Sequence, residues 1–147
     1  MIVLRNFNYK DIPVLQEHGY DGYSRDGLKD LIAQWNSKLY EKLYFESFAI
    51  DNGGEVVGYA SLYQRSKSIV SCGVEIYEDY RLKGYASAAY GELLDYAKEH
   101  GYKIAVAQVL ADNVASIALH NKLGFECENY EYINRKGNKV YYFIKTL

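Results

Sequence analysis

Apolar positions recur along the chain with two different periods, and these periods predict alternating strands and helices. A period near two, or a short continuous apolar run, is typical of a strand, whereas a period near 3.6 is typical of an amphipathic helix. Strand patterns lie at residues 2–7, 47–51, 55–64, 68–77, 102–111, 125–133 and 139–146. Helical patterns lie at residues 9–17, 26–43, 84–100 and 113–124. We therefore expect one mixed α/β (α+β) domain over residues 1–147, without internal repeats or linkers.

Capping and turn residues lie at the ends of these segments. Asn8 and Asp26 precede two of the helical patterns as expected N-caps. Asp112 or Asn113 precedes the last helical pattern in the same way. The run Asn52-Gly53-Gly54 predicts a hairpin between two strands, because glycine adopts positive φ angles at little cost.

The composition is that of a soluble globular protein with one unusual residue count. Apolar residues make up 49% and charged residues 24% of the 147 positions, so the chain is expected to fold around a core. Seventeen lysines and arginines oppose nineteen aspartates and glutamates, and this near balance argues against nucleic acid as a partner. The unusual count is that of the seventeen tyrosines, whose apolar rings and polar tips suit strands and wet clefts.

Cysteine spacing and the lengths of the apolar runs indicate the cellular setting. Cys72 and Cys127 have no CxxC spacing and no neighbouring histidine cluster, so we expect neither a metal site nor a disulfide scaffold. No apolar run approaches the length of a membrane span, and Arg5 interrupts the first run before a signal peptide could form. The expected location is the cytoplasm, without membrane association.

The segment with the clearest chemical meaning follows the strand pattern at 68–77. A turn with Arg81, Lys83 and Gly84 leads from that strand into the long helical pattern. The first amides of a helix lack intrahelical partners and the helix dipole makes that end positive, so anions bind there. Gly84 and Ala86 keep side chains away from those amides. The segment therefore predicts a phosphate cradle, and the alternative is a helix start with a solvated basic turn.

Two motifs together resemble the GNAT superfamily of N-acetyltransferases. The family's [Q/R]-x-x-G-x-[G/A] signature follows a strand and opens a long helix, as Arg81-Leu-Lys-Gly-Tyr-Ala86 does here. About thirty residues later, the segment from Asn113 to Phe125 resembles the family's N-x-x-S-x-x-L-Y-x-x-x-G-F signature, with His120 in the place of the tyrosine. The order of elements over residues 2–146 also resembles that of the family.

The resemblance implies a fold, a co-substrate and the residues that hold it. The fold would be a mostly antiparallel central sheet with one splayed strand pair, flanked by about four helices. The gap between the splayed strands would hold the pantetheine arm of acetyl-coenzyme A, and the cradle would hold its pyrophosphate. Leu82 stands where the family often has glycine. The residues implied in cofactor binding are Ile76, Tyr77, Arg81, Leu82, Lys83, Gly84, Tyr85, Ala86, Ser87, Asn113 and Ser116.

Acetyl transfer to an amine needs one group that removes the amine proton and another that protonates the leaving thiolate. By the resemblance, His120 occupies the place of the proton-donating tyrosine, and imidazole can donate a proton near neutral pH. The alternatives are a packed, inert histidine, with Tyr77, Tyr130 or water as the donor. Glu75 is the candidate base, and its alternative is a solvent-facing strand carboxylate. Strand alternation places Glu75 and Ile76 on opposite faces unless a bulge intervenes.

The acceptor amine is expected at segments that vary within the family. Tyr20-Asp-Gly-Tyr23, with Tyr130 and Tyr132, could form an aromatic, acidic rim for a cationic amine, and the alternative is a tyrosine-rich loop without a ligand. The expected function is direct acetyl transfer from acetyl-coenzyme A to a primary amine of a small molecule or a protein N-terminus. The alternatives are a non-catalytic acyl-coenzyme A sensor or interaction module, and a regulatory domain without coenzyme. A homodimer is an open alternative to a monomer.

Overall fold

Nine strands and four helices form the fold, and the computed structural model describes residues 1–147. The strands are β1 Ile2–Asn6, β2 Leu39–Tyr40, β3 Leu43–Asn52, β4 Glu55–Gln64, β5 Ile69–Ile76, β6 Ile104–Leu110, β7 Glu126–Cys127, β8 Tyr132–Ile133 and β9 Lys139–Thr146. The helices are α1 Ile12–Glu17, α2 Arg25–Asn36, α3 Tyr85–Glu99 and α4 Val114–Lys122. Single 3-10 turns precede α1 at Tyr9–Asp11 and α3 at Glu78–Tyr80. None of the helices combines the length and the apolar content that crossing a membrane requires.

The strands form one sheet whose main order is β1-β3-β4-β5-β6-β9-β7, with β2 beside β3 and β8 beside β9. Every pairing is antiparallel except that of β5 with β6. The expected hairpin at Asn52-Gly53-Gly54 joins β3 to β4. The prediction of a mostly antiparallel central sheet with four helices is confirmed.

Strand alternation divides the core between the two faces of the sheet. On one face, α1 and α2 cover a buried cluster that includes Leu15 and Ala49. On the opposite face, α3 covers a cluster that includes Leu62 and Leu93. Residues of α3 and α4 also pack on β6 and β9 around Phe143. A site within the sheet can therefore be bounded by α1 and α2 on one face and by α3 and α4 on the other.

The helix predicted over residues 26–43 is shorter in the structure. α2 ends at Asn36, and the leucines that continued its apolar spacing, Leu39 and Leu43, are exposed. Positive φ angles turn the chain after the helix at Lys38, Glu41 and Lys42. Leu39 and Tyr40 instead pair with the start of β3. Pairing with the sheet prevailed here over a local spacing that fits a helix equally well.

The helix caps and the penultimate strand also differ in detail from the expectation. Ser24 rather than Asp26 caps α2, and its side-chain oxygen accepts a backbone hydrogen bond from the first turn. Asn113 rather than Asp112 caps α4. The predicted strand over residues 125–133 is instead the two short strands β7 and β8, which pair with different parts of β9.

Candidate active site

β5 and β6 are paired over three residues only and then separate. Ile69–Ser71 of β5 pairs in parallel with Ile104–Val106 of β6. Beyond this contact, β5 continues to Ile76 against β4, and β6 continues to Leu110 against β9. A gap therefore opens inside the sheet between β5 and β6, with an unpaired backbone edge on each side. This is the splayed strand pair that the resemblance implies.

Hydrogen-bond alternation shows which β5 residues face the gap. The amide of Tyr77 donates to the carbonyl of Val57 in β4 at 2.9 Å, and the carbonyl of Tyr77 accepts from the amide of Tyr80 at 2.9 Å. Neighbouring residues of an antiparallel ladder point their backbone groups to opposite sides, so those of Val74 and Ile76 point into the gap. Of the two residues expected to hold the arm, Ile76 thus has its backbone edge on the gap, whereas the backbone of Tyr77 is already engaged.

The turn between β5 and α3 has the shape of an anion cradle. Gly84 caps α3 with a φ of +80°, and a Cβ added there would meet no atom within 4 Å. The carbonyl of Gly84 accepts from the amide of Ala88, so the amides of Tyr85, Ala86 and Ser87 begin the helix without intrahelical partners. The turn therefore places backbone donors without intrahelical partners next to a glycine whose Cβ direction is open, a combination that favours an anion.

Leu82 and Lys83 complete the cradle. Leu82 adopts a φ of +64°, a left-handed conformation that costs a leucine about 1–2 kcal/mol. The frequent glycine of the family at this position would adopt the same conformation at little cost. The Nζ atom of Lys83 lies 5.9 Å from the ring centroid of Tyr80. Both Leu82 and Lys83 have exposed side chains, so the backbone of the turn stays accessible.

Arg81 folds back onto the end of β5 instead of lying at the mouth of the cradle. Its Nε atom donates to the carbonyl of Ile76 at 2.9 Å, and its Nη2 atom lies 3.8 Å from Oε1 of Glu75. Both side chains of this ion pair are about half exposed, so it contributes little to stability. Arg81 therefore connects the gap edge at Ile76 with the carboxylate of Glu75.

Glu75 faces a cavity of about 530 Å³ on the side of the sheet that carries α1 and α2. The register of β5 with β4 is regular, so Ile76 packs toward α3 and Glu75 projects from the opposite face, as strand alternation predicts. The hydroxyl of Tyr59, the cross-strand partner, donates to Oε2 of Glu75 at 3.2 Å. Burial and the neighbouring carboxylate raise the pKa of Tyr59 to about 12, so its hydroxyl keeps its proton at neutral pH.

Aromatic rings dominate the wall of this cavity, which we call the outer cavity. The rings are those of His18, Tyr20, Tyr23, Tyr59 and Tyr77, and they stand beside the charged groups of Glu75 and Arg81. His18 stacks on Tyr77 with ring centroids 3.8 Å apart and planes within 3°. The Tyr77 hydroxyl is buried without a hydrogen-bond partner, and burial raises the pKa of Tyr77.

The expected aromatic rim is divided in the structure. Tyr20 and Tyr23 line the outer cavity and contact each other edge to face, with centroids 5.4 Å apart. Tyr130 and Tyr132 instead contact each other, with ring centroids 4.7 Å apart, and Tyr132 also contacts Tyr142. The structure therefore brings only the first half of the predicted rim to the cavity of Glu75.

His120 lies inside the protein on α4, with both ring nitrogens hydrogen-bonded. The Nδ1 atom lies 2.7 Å from the carbonyl oxygen of Ser116, and because a carbonyl can only accept, Nδ1 carries the proton. The Nε2 atom lies 2.8 Å from the hydroxyl of Tyr90 and accepts a hydrogen bond from it. The rings of Tyr90, Phe125 and Phe143 surround the imidazole at centroid distances of 5.1 to 5.3 Å.

This arrangement argues against His120 as the proton donor. Burial lowers the pKa of His120, and the lone pair of Nε2 is directed at Tyr90. The geometry favours the alternative of a packed histidine. The phenol beside position 120 belongs to Tyr90 of α3, and burial raises the pKa of Tyr90, so its hydroxyl is neutral at pH 7.

We expect the free energy of unfolding to fall as the pH is lowered from 7.5 to 5.5, because of His120. Its pKa is lower in the folded protein than in the unfolded chain, where it is about 6.5, so the unfolded chain takes up the proton first. The stabilisation is therefore complete above about pH 6.5 and is lost below it, with a slope that approaches about 1.4 kcal/mol per pH unit. Urea unfolding at a series of pH values measures this slope.

Two matched substitutions locate the origin of that slope. His120→Gln removes the titrating group while its amide can still accept from Tyr90, so the slope should flatten. His100→Gln changes an exposed histidine at the end of α3, so the slope should persist. If the free energy of unfolding of the His120→Gln variant depended on pH as steeply as that of the wild type, His120 would not be the origin of the pH dependence.

Asn113 and Ser116 lie on the first turn of α4, close in sequence to the open end of β6. The side-chain oxygen of Asn113 accepts from the amide of Ser116 at 3.1 Å and so caps the helix. The amide of Asn113 donates to the carbonyl of Leu110, the last residue of β6. Both residues are thereby held next to the end of β6 where the gap is open.

The sequence profile of the acetyltransferase (GNAT) family matches residues 11–125. The chain belongs to the GNAT acetyltransferase family. The yncA protein of Salmonella typhimurium, whose structure contains its cofactor acetyl-CoA, superposes on this GNAT protein with a TM-score of 0.75. The two share 18% sequence identity, and the match covers 100% of this chain and 94% of the other. The likeness confirms the fold.

Two curated relatives share part of their sequence with this GNAT protein. The L-methionine sulfoximine/L-methionine sulfone acetyltransferase of Pseudomonas paraeruginosa is 36% identical over 83 residues, which are 53% of this chain and 48% of the relative. The L-amino acid N-acyltransferase MnaT of Escherichia coli is 31% identical over 80 residues, which are 51% of this chain and 46% of the relative. The matched segments thus span about half the length of each relative.

Three residues of this GNAT site were not singled out by the sequence analysis. Tyr59 could have been found, because the β3–β4 hairpin and strand alternation place it on the same face as the next strand's carboxylate. His18 and Tyr90 carried no such signal. Their roles depend on stacking and hydrogen bonds between segments that are distant in sequence.

Proposed function

We propose that this GNAT protein transfers an acetyl group from acetyl-coenzyme A to a primary amine of a small molecule. The observation that carries the proposal is the gap between β5 and β6, which has the cradle after β5 and the carboxylate of Glu75 on the same strand. The free backbone edge, the candidate base and the anion cradle thus all lie between Val74 and Ser87.

The residues around the gap fit acetyl-coenzyme A. The backbone groups of Val74 and Ile76 that face the gap would pair with the amides of the pantetheine arm, as a neighbouring strand would. The first amides of α3, beside Gly84, would bind the pyrophosphate, and the charge of Lys83 would assist. Because the guanidinium of Arg81 donates to the gap-facing carbonyl of Ile76, it would lie beside the bound pantetheine arm.

Residues of this chain would then accept a proton from the amine and stabilise the negative charge that develops on the thioester carbonyl oxygen. Bound acetyl-coenzyme A supplies the acetyl group as a thioester, and its sulfur leaves as a thiol. An amine bound as its cation would first release one proton to water, because only the neutral amine can attack the thioester. Glu75 would then accept the second proton, which the nitrogen loses on forming the new C–N bond, directly or through water. Gap-facing N–H groups of β5 would stabilise the negative charge on the carbonyl oxygen. A thiol has a pKa near 8.5, so the departing sulfur can take its proton from water and His120 need not supply it.

A small-molecule acceptor is favoured over a protein N-terminus for two reasons. The outer cavity has about 530 Å³, which is within the usual range for small-molecule sites. Both curated relatives are named for the acylation of amino acids or their analogues. The wall of tyrosines beside Glu75 suits an amine, because aromatic faces and a carboxylate both attract positive charge.

Calorimetric titration with acetyl-coenzyme A, followed by a thiol-release assay over a panel of small amines, tests the proposal. Binding followed by thiol release that depends on the amine would support it. Binding without thiol release from any amine would favour the non-catalytic sensor instead. Absence of binding would reject both.

Reversal of the cradle charge should weaken cofactor binding. Lys83→Glu places a negative charge beside the pyrophosphate, and we expect the Kd of acetyl-coenzyme A to rise about tenfold, or about 1.4 kcal/mol. The effect should shrink in high salt, because exposed charges are screened. Lys98→Glu makes the same change in an exposed lysine of the last turn of α3 and should leave the Kd unchanged. Equal effects of the two substitutions would contradict the assigned cradle.

A further inference from the structure

A second, smaller cavity lies beside the outer cavity, between the sheet and helices α1 and α2. Its volume is about 110 Å³, and we call it the inner chamber. Leu15, Trp35 and Phe45 are among its apolar walls, and Ser47 and Ser61 complete the lining on the sheet side. No charged residue lines it. The inner chamber is therefore chemically unlike the outer cavity, which contains Glu75 and Arg81.

Two tyrosines form the wall between these cavities. Tyr20 and Tyr59 line both of them. Tyr59 is also the residue whose hydroxyl donates to Glu75. Tyr20 contacts Trp35 edge to face, with ring centroids 5.9 Å apart. A molecule with its amine at Glu75 would thus lie beside the two tyrosines that also line the inner chamber.

The inner chamber is larger than the space that one water molecule needs, and it is partly open rather than an enclosed void. Protein interiors contain few voids larger than one water molecule, which occupies about 30 Å³ in the liquid. The inner chamber exceeds this several-fold, and it adjoins the cavity of the candidate base. At about 30 Å³ per non-hydrogen atom, it has room for about four such atoms.

We propose that the inner chamber binds the apolar side chain of the acceptor, so that the substrate is a small primary amine with an uncharged chain of about four non-hydrogen atoms. The amine would lie at Glu75, and the chain would pass between Tyr20 and Tyr59 toward Trp35. Burial of each methylene removes apolar surface from water, so each should improve kcat/KM about fourfold until the chamber is full. This inference rests on the proposed acetyl transfer and adds the substrate class to it.

Trp35 makes occupancy of the chamber directly measurable. It is the only tryptophan of the chain and it lines the chamber wall. With coenzyme A present, straight-chain primary amines from ethylamine to octylamine would be titrated while the tryptophan fluorescence is recorded. We expect no change with ethylamine, a saturable change with amines of intermediate length, and weaker binding once the chain exceeds the chamber. A response independent of chain length would overturn the inference.

A pair of serine substitutions provides the matched control. Ser61→Leu adds two non-hydrogen atoms to the chamber wall and should abolish the fluorescence response to the longer amines. Ser71→Leu makes the same change on β5, outside both cavities, and should preserve that response. An unchanged response in Ser61→Leu would overturn the inference. If the leucine variant failed to fold, as judged by circular dichroism, the wild-type series would still decide the matter.

The fluorescence and the thiol-release assays separate this inference from the proposed function. Acetylation of ethylamine and butylamine at equal kcat/KM would leave the acetyl transfer standing and reject the chamber as a side-chain site. A length-dependent Trp35 response without thiol release would support the chamber and reject the catalytic proposal.

Discussion

Glu75→Gln should reduce kcat/KM for amine acetylation at least about a hundredfold, because general base catalysis contributes about 10²- to 10⁴-fold. The amide keeps the shape of the side chain and can still accept from the Tyr59 hydroxyl, but it cannot take up the amine proton. The Kd for acetyl-coenzyme A should not change, since the Glu75 side chain projects into the outer cavity and not into the gap. Steady-state kinetics and calorimetry on the same preparation separate the two effects.

Glu126→Gln is the control for that variant. Glu126 is also an exposed strand carboxylate, but it lies on β7, outside both cavities. Its substitution should leave kcat/KM unchanged. Retention of more than a tenth of the activity in Glu75→Gln would exclude Glu75 as the base.

Gly58→Ala should lower the free energy of unfolding by about 3 kcal/mol or more, the largest loss of stability that we expect from a single methyl group here. Gly58 lies in β4 opposite Ile76. A Cβ at this position would overlap the carbonyl oxygen of Glu75 and lie 2.9 Å from the Cα atom of Ile76. Both neighbours are backbone, so no side-chain rotation can relieve the overlap. Urea unfolding, with the slope and midpoint both fitted, measures the loss.

Gly73→Ala is the matched control for the same sheet. Gly73 lies in β5, and its added Cβ would meet only the Ser61 hydroxyl, at 3.3 Å, which can rotate away. We expect a change within about 1 kcal/mol, because the loss of chain entropy in the unfolded state offsets a mild contact. If both variants lost equal stability, the close approach of β4 to the Glu75 backbone would not be the cause.

The parts of the fold that depend on local chemistry could be predicted from the sequence. The start of α3 at Gly84 follows from a glycine and basic residues between a strand and an amphipathic helix. The opposite directions of Glu75 and Ile76 follow from strand alternation alone. The end of α2 could not be predicted in this way, because Leu39 continues its helical spacing and only pairing with β3 places it in a strand.

The contacts of His120 and the two cavities depend on tertiary structure. A histidine at position 120 could have been a proton donor or a packed residue, and thirty residues separate it from the Tyr90 hydroxyl that decides between them. In the sequence, Tyr90 is recognisable only as one of the apolar positions on the buried face of α3. The inner chamber is bounded by residues from both strands and helices, such as Trp35 and Ser61, which no local pattern connects.

The gap between β5 and β6 also affects the tendency of the protein to aggregate. Most sheets keep unpaired backbone edges at their margins, where charges, bulges or covering loops protect them from other chains. Here such an edge lies in the middle of the sheet, where the backbone groups of Val74 and the amide of Ile76 are open to any extended segment that enters. A bound pantetheine arm would occupy the place of an intruding strand. Coenzyme binding would therefore protect the protein against aggregation as well as supply its reaction.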